Sequence, residues 1–330
     1  MDHAGETSWS LIHREGKATR WVGAALCGLT VCAGCILLLE AVCRFGLGLG
    51  HPVLVAPDAA CEYTFKPDQN LFRDFAHIRI NRFAMRSDEI PAQHSPGTLR
   101  LMFVGDSITY GTSRVDQCDI FTEILHRELP ALVHRPVEVL NASAGGWAID
   151  NELSYVRSRG TFDSDVVVLV LNSGDVWQSR ATLAQMGSTH LKNNSMAIVE
   201  LYNFYIKPRL FREPPRMDAG DFVGYDVEGA TRANLLDLEV FQQLVEQRHA
   251  RMAIVFTPFQ GLVYNSGPQA GILRKWCAAH GVSLLDLTPD QVPFTSEQIT
   301  LDHGLHFNAQ GHRVVADAIE RHWPKLIGVQ

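Results

Sequence analysis

Three regimes of hydrophobic patterning follow one another along the chain. From Trp21 to Leu39 the run WVGAALCGLTVCAGCILLL holds nineteen residues without a charge. At ~1.5 Å of rise per residue this length matches the ~30 Å hydrocarbon layer of a bilayer, so it predicts one transmembrane helix. Between about 45 and 98 the chain is rich in Pro, Asp and Arg with little periodicity, which predicts a connector with one short strand near Ile78–Asn81. From Leu99 onward, short β-type runs at Leu99–Val104, Val137–Leu140, Asp165–Leu171, Met252–Phe256 and Val282–Leu287 alternate with helical patterns. Those patterns lie at Asp119–Leu129, Ile149–Arg159, Ala233–His249, Pro268–His280 and Ala309–Trp323. Asp165–Leu171 is nearly all apolar and β-branched, as in a strand covered on both faces of a parallel sheet. The series predicts an α/β fold with a doubly wound, mostly parallel sheet.

Charge and composition narrow the partners. The 330 residues carry a formal charge of −7, which leaves no electrostatic footprint for nucleic acid. Seven cysteines, four of them in the first 45 residues, are not spaced as a disulfide framework. Cys32 and Cys35 form a C-x-x-C, but inside the apolar run they read as small side chains in lipid. Arg14, Lys17 and Arg20 precede that run and only Arg44 closely follows it, so the positive-inside rule puts residues 1–20 in the cytoplasm and the rest outside, in the periplasm if the cell is bacterial. A cleaved signal peptide competes with the anchor, although the run continues through Ile36–Leu39 with no small-x-small site after it.

About fifty-five residues, 176–231, interrupt the strand and helix series and include Tyr202, Phe204, Tyr205, Phe211 and Phe222. Long insertions at strand ends often form lids or binding loops. Extra helices covering the sheet edge or leaning on the membrane explain the segment as well.

Candidate chemistry sits at the two ends of the α/β series. Gly105-Asp106-Ser107 follows the first strand at a turn into a helix, where a serine can present its hydroxyl at the top of the sheet. Asp302-His303-Gly304-Leu305-His306 precedes the last helix. An imidazole there can reach a serine after the first strand, with a carboxylate nearby to orient it. Asp302 is the expected orienter and Asp286 the alternative. The group His303, His306, His312 and Asp302 also invites a metal reading, but no H-E-x-x-H or comparable spacing accompanies it, so neither metal nor cofactor is expected.

At these residues the sequence resembles the SGNH, or GDSL, serine hydrolase family, over roughly residues 99–325, with an upstream segment Asn81–Arg86 behind a single membrane helix that resembles anchored members. The resemblance implies a flavodoxin-like sheet, Ser107 as nucleophile, His306 as its base and Gly146 as an oxyanion donor. Together with the apolar run and the strand and helix series, it divides the chain into a cytoplasmic N-terminus (1–20), a transmembrane helix (21–43), a connector packed on the domain (44–98) and a hydrolase domain (99–330) with the insertion 176–231. The family's third block is G-x-N-D, whereas Asn172-Ser173-Gly174-Asp175 stands here, so glycine occupies the asparagine position. Asn172, on the same strand face, and the Gly174 amide are the candidate replacements.

The implied function is a membrane-anchored serine esterase or O-acyltransferase acting on acyl esters, acetyl groups on polysaccharide foremost. A weakly active or inactive carbohydrate-binding scaffold and a lysophospholipase remain the alternatives. Trp147 and Trp177 are candidates for sugar stacking or acyl packing, or simply for filling space. Asn141 and Asp175 are expected to hold loops.

Overall fold

The chain opens with a long helix, α1 (Glu6–Ala41), continued by a π-turn at Val42–Gly46. The structure is a computed structural model in which residues 6–91, 93–186, 196–211, 226–258, 267–291, 293–301 and 304–327 are described. Arg20–Gly46 is long and apolar enough to cross a membrane, and its most apolar window is not buried in the protein. The end of this helix is tied to the rest of the fold. The Glu40 carboxylate accepts hydrogen bonds from Ala197 N and Ile198 N, both at 3.0 Å, and pairs with Arg44 at 2.6 Å. Cys43 is buried against Leu49 and Ala197.

Two antiparallel hairpins follow where a single short strand was expected. They pair β1 (Val55–Asp58) with β2 (Glu62–Phe65), and β3 (Gln69–Arg73) with β4 (Ala76–Ile80). Each strand is only four or five residues long. The second turn is Asp74-Phe75, both at positive φ (50° and 63°). Two-residue hairpin turns of that shape normally advertise themselves with Asn-Gly or Asp-Gly, so this one carries no sequence signal.

The five expected strands form one parallel sheet: β5 (Leu99–Gly105), β6 (Val137–Ser143), β7 (Val166–Asn172), β8 (Arg251–Thr257) and β9 (Ser283–Asp286). Their spatial order is β6-β5-β7-β8-β9, the flavodoxin-like order, whose switch point lies between the first and third strands of the sheet. Alternation along each strand feeds two cores. Leu101 and Phe103 face α3 (Phe121–Val133) and the last long helix (Ala309–Arg321). Met102 and Val104 face α4 (Ile149–Arg159), the helix Val227–Gln247 and the helix Gly267–His280, together with Val55, Tyr63, Phe65 and Ile78 of the hairpins. The hairpins are therefore part of a core, and the sheet is covered on both faces.

The carboxyl ends of β5 and β7 thus come side by side. α2 (Ser107–Tyr110) follows β5 directly; in the insertion a π-turn at Tyr202–Ile206 joins α5 (Ala197–Leu201) to α6 (Lys207–Phe211).

Candidate active site

Ser107 is the first residue of α2, and its place follows from the two residues before it. A Cβ on Gly105 would lie 2.1 Å from Thr109 Oγ1 and 3.0 Å from Val170 O, so only glycine lets the chain turn this tightly against β7. Asp106 caps the helix, its Oδ1 accepting from Ile108 N at 2.8 Å. The turn is braced from outside by Arg86, whose fully buried guanidinium donates to Tyr110 O (2.9 Å), Thr112 O (2.5 Å) and Val115 O (2.6 Å).

His306 arrives from the other end of the sequence. Its backbone is fixed by Leu301 N donating to His306 O at 2.8 Å and by the bridge between Thr300 and Phe307. Its Nε2 stands 2.9 Å from Ser107 Oγ. Asp302, the expected orienter, and His303 lie outside the described residues. Asp286, the alternative, is engaged elsewhere: Oδ1 accepts from Thr288 N and Oγ1, and Oδ2 pairs with Arg274. His312 is a core residue. Its Nδ1 accepts from Phe121 N, its ring stacks on Phe121, and burial pushes its pKa down to about 3.

The two candidate replacements for the missing asparagine are turned inward. Asn172 Nδ2 donates to Asp106 Oδ2 at 2.9 Å, and Asn172 Oδ1 accepts from Gly174 N at 2.6 Å. Both groups expected to reach the substrate are thereby committed to the elbow below it. A shared strand face put Asn172 on the correct side, but the buried carboxylate of Asp106 is the nearer partner and takes its amide.

Gly146 sits in a different setting. Tyr63 Oη donates to Gly145 O at 2.8 Å and Gln178 Nε2 to Gly146 O at 3.0 Å. In a trans peptide the N–H points opposite to the C=O, so Tyr63 turns the Gly146 N–H away from itself. That N–H meets no acceptor among the described residues. Tyr63 lies in β2, outside every motif read from the sequence; only its place in an alternating hairpin strand could have flagged it. Trp147 is fully buried against Tyr63 and Tyr155, and its Nε1 donates to Tyr63 O, which removes it from any sugar-stacking role. Trp177 is half-buried and donates to Ser173 O at 2.9 Å. Asn141 holds loops, donating to Thr109 O and Thr122 Oγ1.

Behind the elbow three carboxyl groups share a buried space. Asp106 is pushed up to about 6 by burial, and Glu152 and Asp175 are raised well above the ordinary carboxylate range by burial and by each other's proximity to Asp106. Among the described residues neither oxygen of Glu152 has a hydrogen-bond partner, whereas Asp175 Oδ2 accepts from Asn172 N at 2.7 Å.

Ser107 and His306 open onto a cleft of about 450 Å³. Pro52, Val53, Val55 and Phe65 give it an apolar wall, and Arg73 and Gly146 also line it. A larger hollow of about 600 Å³ lies at the amino ends of the strands, beside Leu99, Val166 and Arg251, and contains none of these groups. A serine hydroxyl on an imidazole at a sheet's switch point, beside an outward amide and an apolar cleft, can perform acyl transfer.

The family model for the GDSL-like lipase/acylhydrolase family matches residues 103–314. Among solved structures, an acetyl-xylooligosaccharide esterase variant from Geobacillus stearothermophilus is similar at 12% identity, covering 70% of this chain and 95% of that one with a TM-score of 0.45. A lipolytic protein of the G-D-S-L family from Veillonella parvula is similar at 14% identity, 68% and 97% coverage and TM-score 0.43. A lipase/acylhydrolase from Enterococcus faecalis is similar at 17% identity, 69% and 95% coverage and TM-score 0.43. No curated protein matches the sequence.

Proposed function

The chain belongs to the GDSL-like lipase/acylhydrolase family and is an ester-bond hydrolase; from that premise we propose a membrane-anchored serine esterase whose nucleophile is Ser107 and whose general base is His306. The observation that carries the proposal is the 2.9 Å contact between Ser107 Oγ and His306 Nε2, made by residues 199 positions apart. An unactivated hydroxyl is too weak an acid to attack an ester alone. His306 Nε2 accepts its proton as Oγ bonds to the acyl carbon, then returns that proton to the leaving alkoxide. The acyl-serine is released by water, with His306 again as base. Asp302 is the carboxylate we assign to the Nδ1 side of the ring. The Gly146 and Ser107 amides hold the oxyanion, since Asn172 and Gly174 are engaged with Asp106 and with each other.

The anchor reading is supported by what the helix end does. Glu40 and Cys43 are built into the contact with residues 197–201, and cleavage beyond Cys43 would strip two amides and a core residue of their partners. Lys and Arg asymmetry favours residues 1–20 in the cytoplasm and the catalytic domain outside.

Acetyl esters on polysaccharide are the expected substrate from sequence, but the cleft favours a longer acyl group. An acetyl group occupies a small corner of about 450 Å³, while the wall of Pro52, Val53, Val55 and Phe65 would bury several methylenes at ~0.8 kcal/mol each. This feature favours a lysophospholipase-like choice as the second reading. A series of p-nitrophenyl esters from acetyl to dodecanoyl tests both. We expect wild-type turnover with kcat/KM rising with chain length, and none above background in Ser107→Ala. No turnover of any ester would hand the site to the binding or scaffold alternative.

A further inference from the structure

The helical segment α5 to α6 is apolar on two sides. Its inner side, Ala197, Leu201 and Tyr205, packs on Cys43, Leu47 and Leu49 at the end of α1. Its outer side carries Met196, Val199, Tyr202, Ile206, Leu210 and Phe211, all exposed, at spacings of mostly three or four residues. An exposed apolar stripe of this length on a helix is ordinarily covered by a partner surface. This helix starts where α1 ends, because Glu40 caps its first amides.

Two further apolar groups lie at the same level. Phe45, in the π-turn that closes α1, is 78% exposed. Phe75 is 69% exposed at a backbone φ of 63°, where a smaller residue would be less strained. Its hairpin tip is held to the end of α1 by Asp74 N donating to Leu47 O at 2.8 Å. Residues 201–211 contain Lys207 and Arg209 and no acidic residue, the charge bias of helices that rest on anionic headgroups.

We propose that residues 196–211, with Phe45 and Phe75, form a collar seated in the headgroup layer of the same bilayer that Arg20–Gly46 crosses, so that the cleft receives acyl esters carried by membrane amphiphiles. An ion pair joins the collar to the cleft: Arg73 lines the cleft beside Ser107 and His306, and its guanidinium pairs with Glu200 of α5. The substrate therefore enters at the lipid surface. This deepens the esterase reading and rests on it for the substrate class, while the collar rests only on a retained span.

The test uses the full chain in vesicles of phosphatidylethanolamine and phosphatidylglycerol doped with a phospholipid bearing a diazirine near its glycerol backbone. After illumination and digestion, we expect adducts on peptides containing 196–211 and Phe75 as well as on 20–46, and none at exposed Leu132 or Leu236. Adducts confined to 20–46 would overturn the collar. In the same vesicles Ile206→Glu/Leu210→Glu should lower hydrolysis of an embedded lysophospholipid by about tenfold while p-nitrophenyl acetate turnover stays unchanged. Equal losses on both substrates, or none, would overturn the link between collar and cleft. Because Ser107→Ala can be photolabelled too, the readings separate. Adducts without wild-type turnover keep the collar and discard the esterase, and turnover without adducts does the reverse.

Discussion

Glu152 is a carboxyl group at zero exposure with no hydrogen-bond partner among the described residues, an arrangement that costs stability whenever the group ionises. Burial, with the Asp106 carboxyl nearby, holds its folded pKa well above the ordinary carboxylate range. The folded state therefore keeps a proton the unfolded chain releases, and this group's contribution to stability falls as pH rises. Asp106, raised from 3.8 to about 6, acts in the same sense across that window. His312, pushed down to about 3, acts oppositely: its contribution is lost as pH falls below ~6.5. Thermal melts of Glu152→Gln should accordingly exceed wild type, with a margin that widens from pH 5 to pH 8, by roughly 2–4 °C per kcal/mol relieved. A constant margin, or a loss, would mean the carboxyl has a role the burial argument misses. Tyr63 makes a second single-residue case. Tyr63→Phe frees the carbonyl of Gly145 and lets the Gly146 amide wander, so kcat should fall about tenfold with KM little changed, less than the ~10²–10³ lost with an oxyanion donor itself. A change in KM alone would reduce Tyr63 to a packing role. Neither residue was legible in the sequence, because periodicity assigns a side chain to a face and says nothing about which polar group it meets there. Asn172 illustrates the same limit: the face was read correctly and the partner was not.

Among the elements, the βαβ series was readable because each strand and helix is long enough to display its period and both faces of the sheet are covered. The hairpins β1–β4 were not, being four or five residues each with a turn at Asp74-Phe75 that lacks glycine or asparagine. These small elements nonetheless reach the turn that carries Ser107. Arg86, just beyond β4, gives its guanidinium to three backbone carbonyls around the end of α2. Arg86→Met would leave those carbonyls buried without donors, at ~1–3 kcal/mol each. We expect a loss of more than about 3 kcal/mol in denaturant titration, accompanied by loss of activity. A stable, active Arg86→Met would show that water replaces the guanidinium.

For the molecule as a whole, strand order is the link between sequence and chemistry. The order β6-β5-β7-β8-β9 sets the carboxyl ends of β5 and β7 together. Ser107 is then delivered by a three-residue motif at one end of the sheet series and His306 by a loop near the other, which is why two local signals so distant in sequence sufficed to point at one site. The long apolar helix was equally legible, since nineteen uncharged residues need no partner to be read. The collar was not, because its outer residues alternate with inner ones that pack on the helix end, and only the fold separates the two sets.

The pairing of Ser107 with His306 is tested most directly by a fluorophosphonate probe with the modified residue mapped by mass spectrometry. The account predicts a single covalent adduct, on Ser107 of the wild-type chain, and a labelling rate at least about 10³-fold lower in a folded His306→Ala variant. An adduct on another residue, or labelling of Ser107 at the same rate without the imidazole, would contradict it.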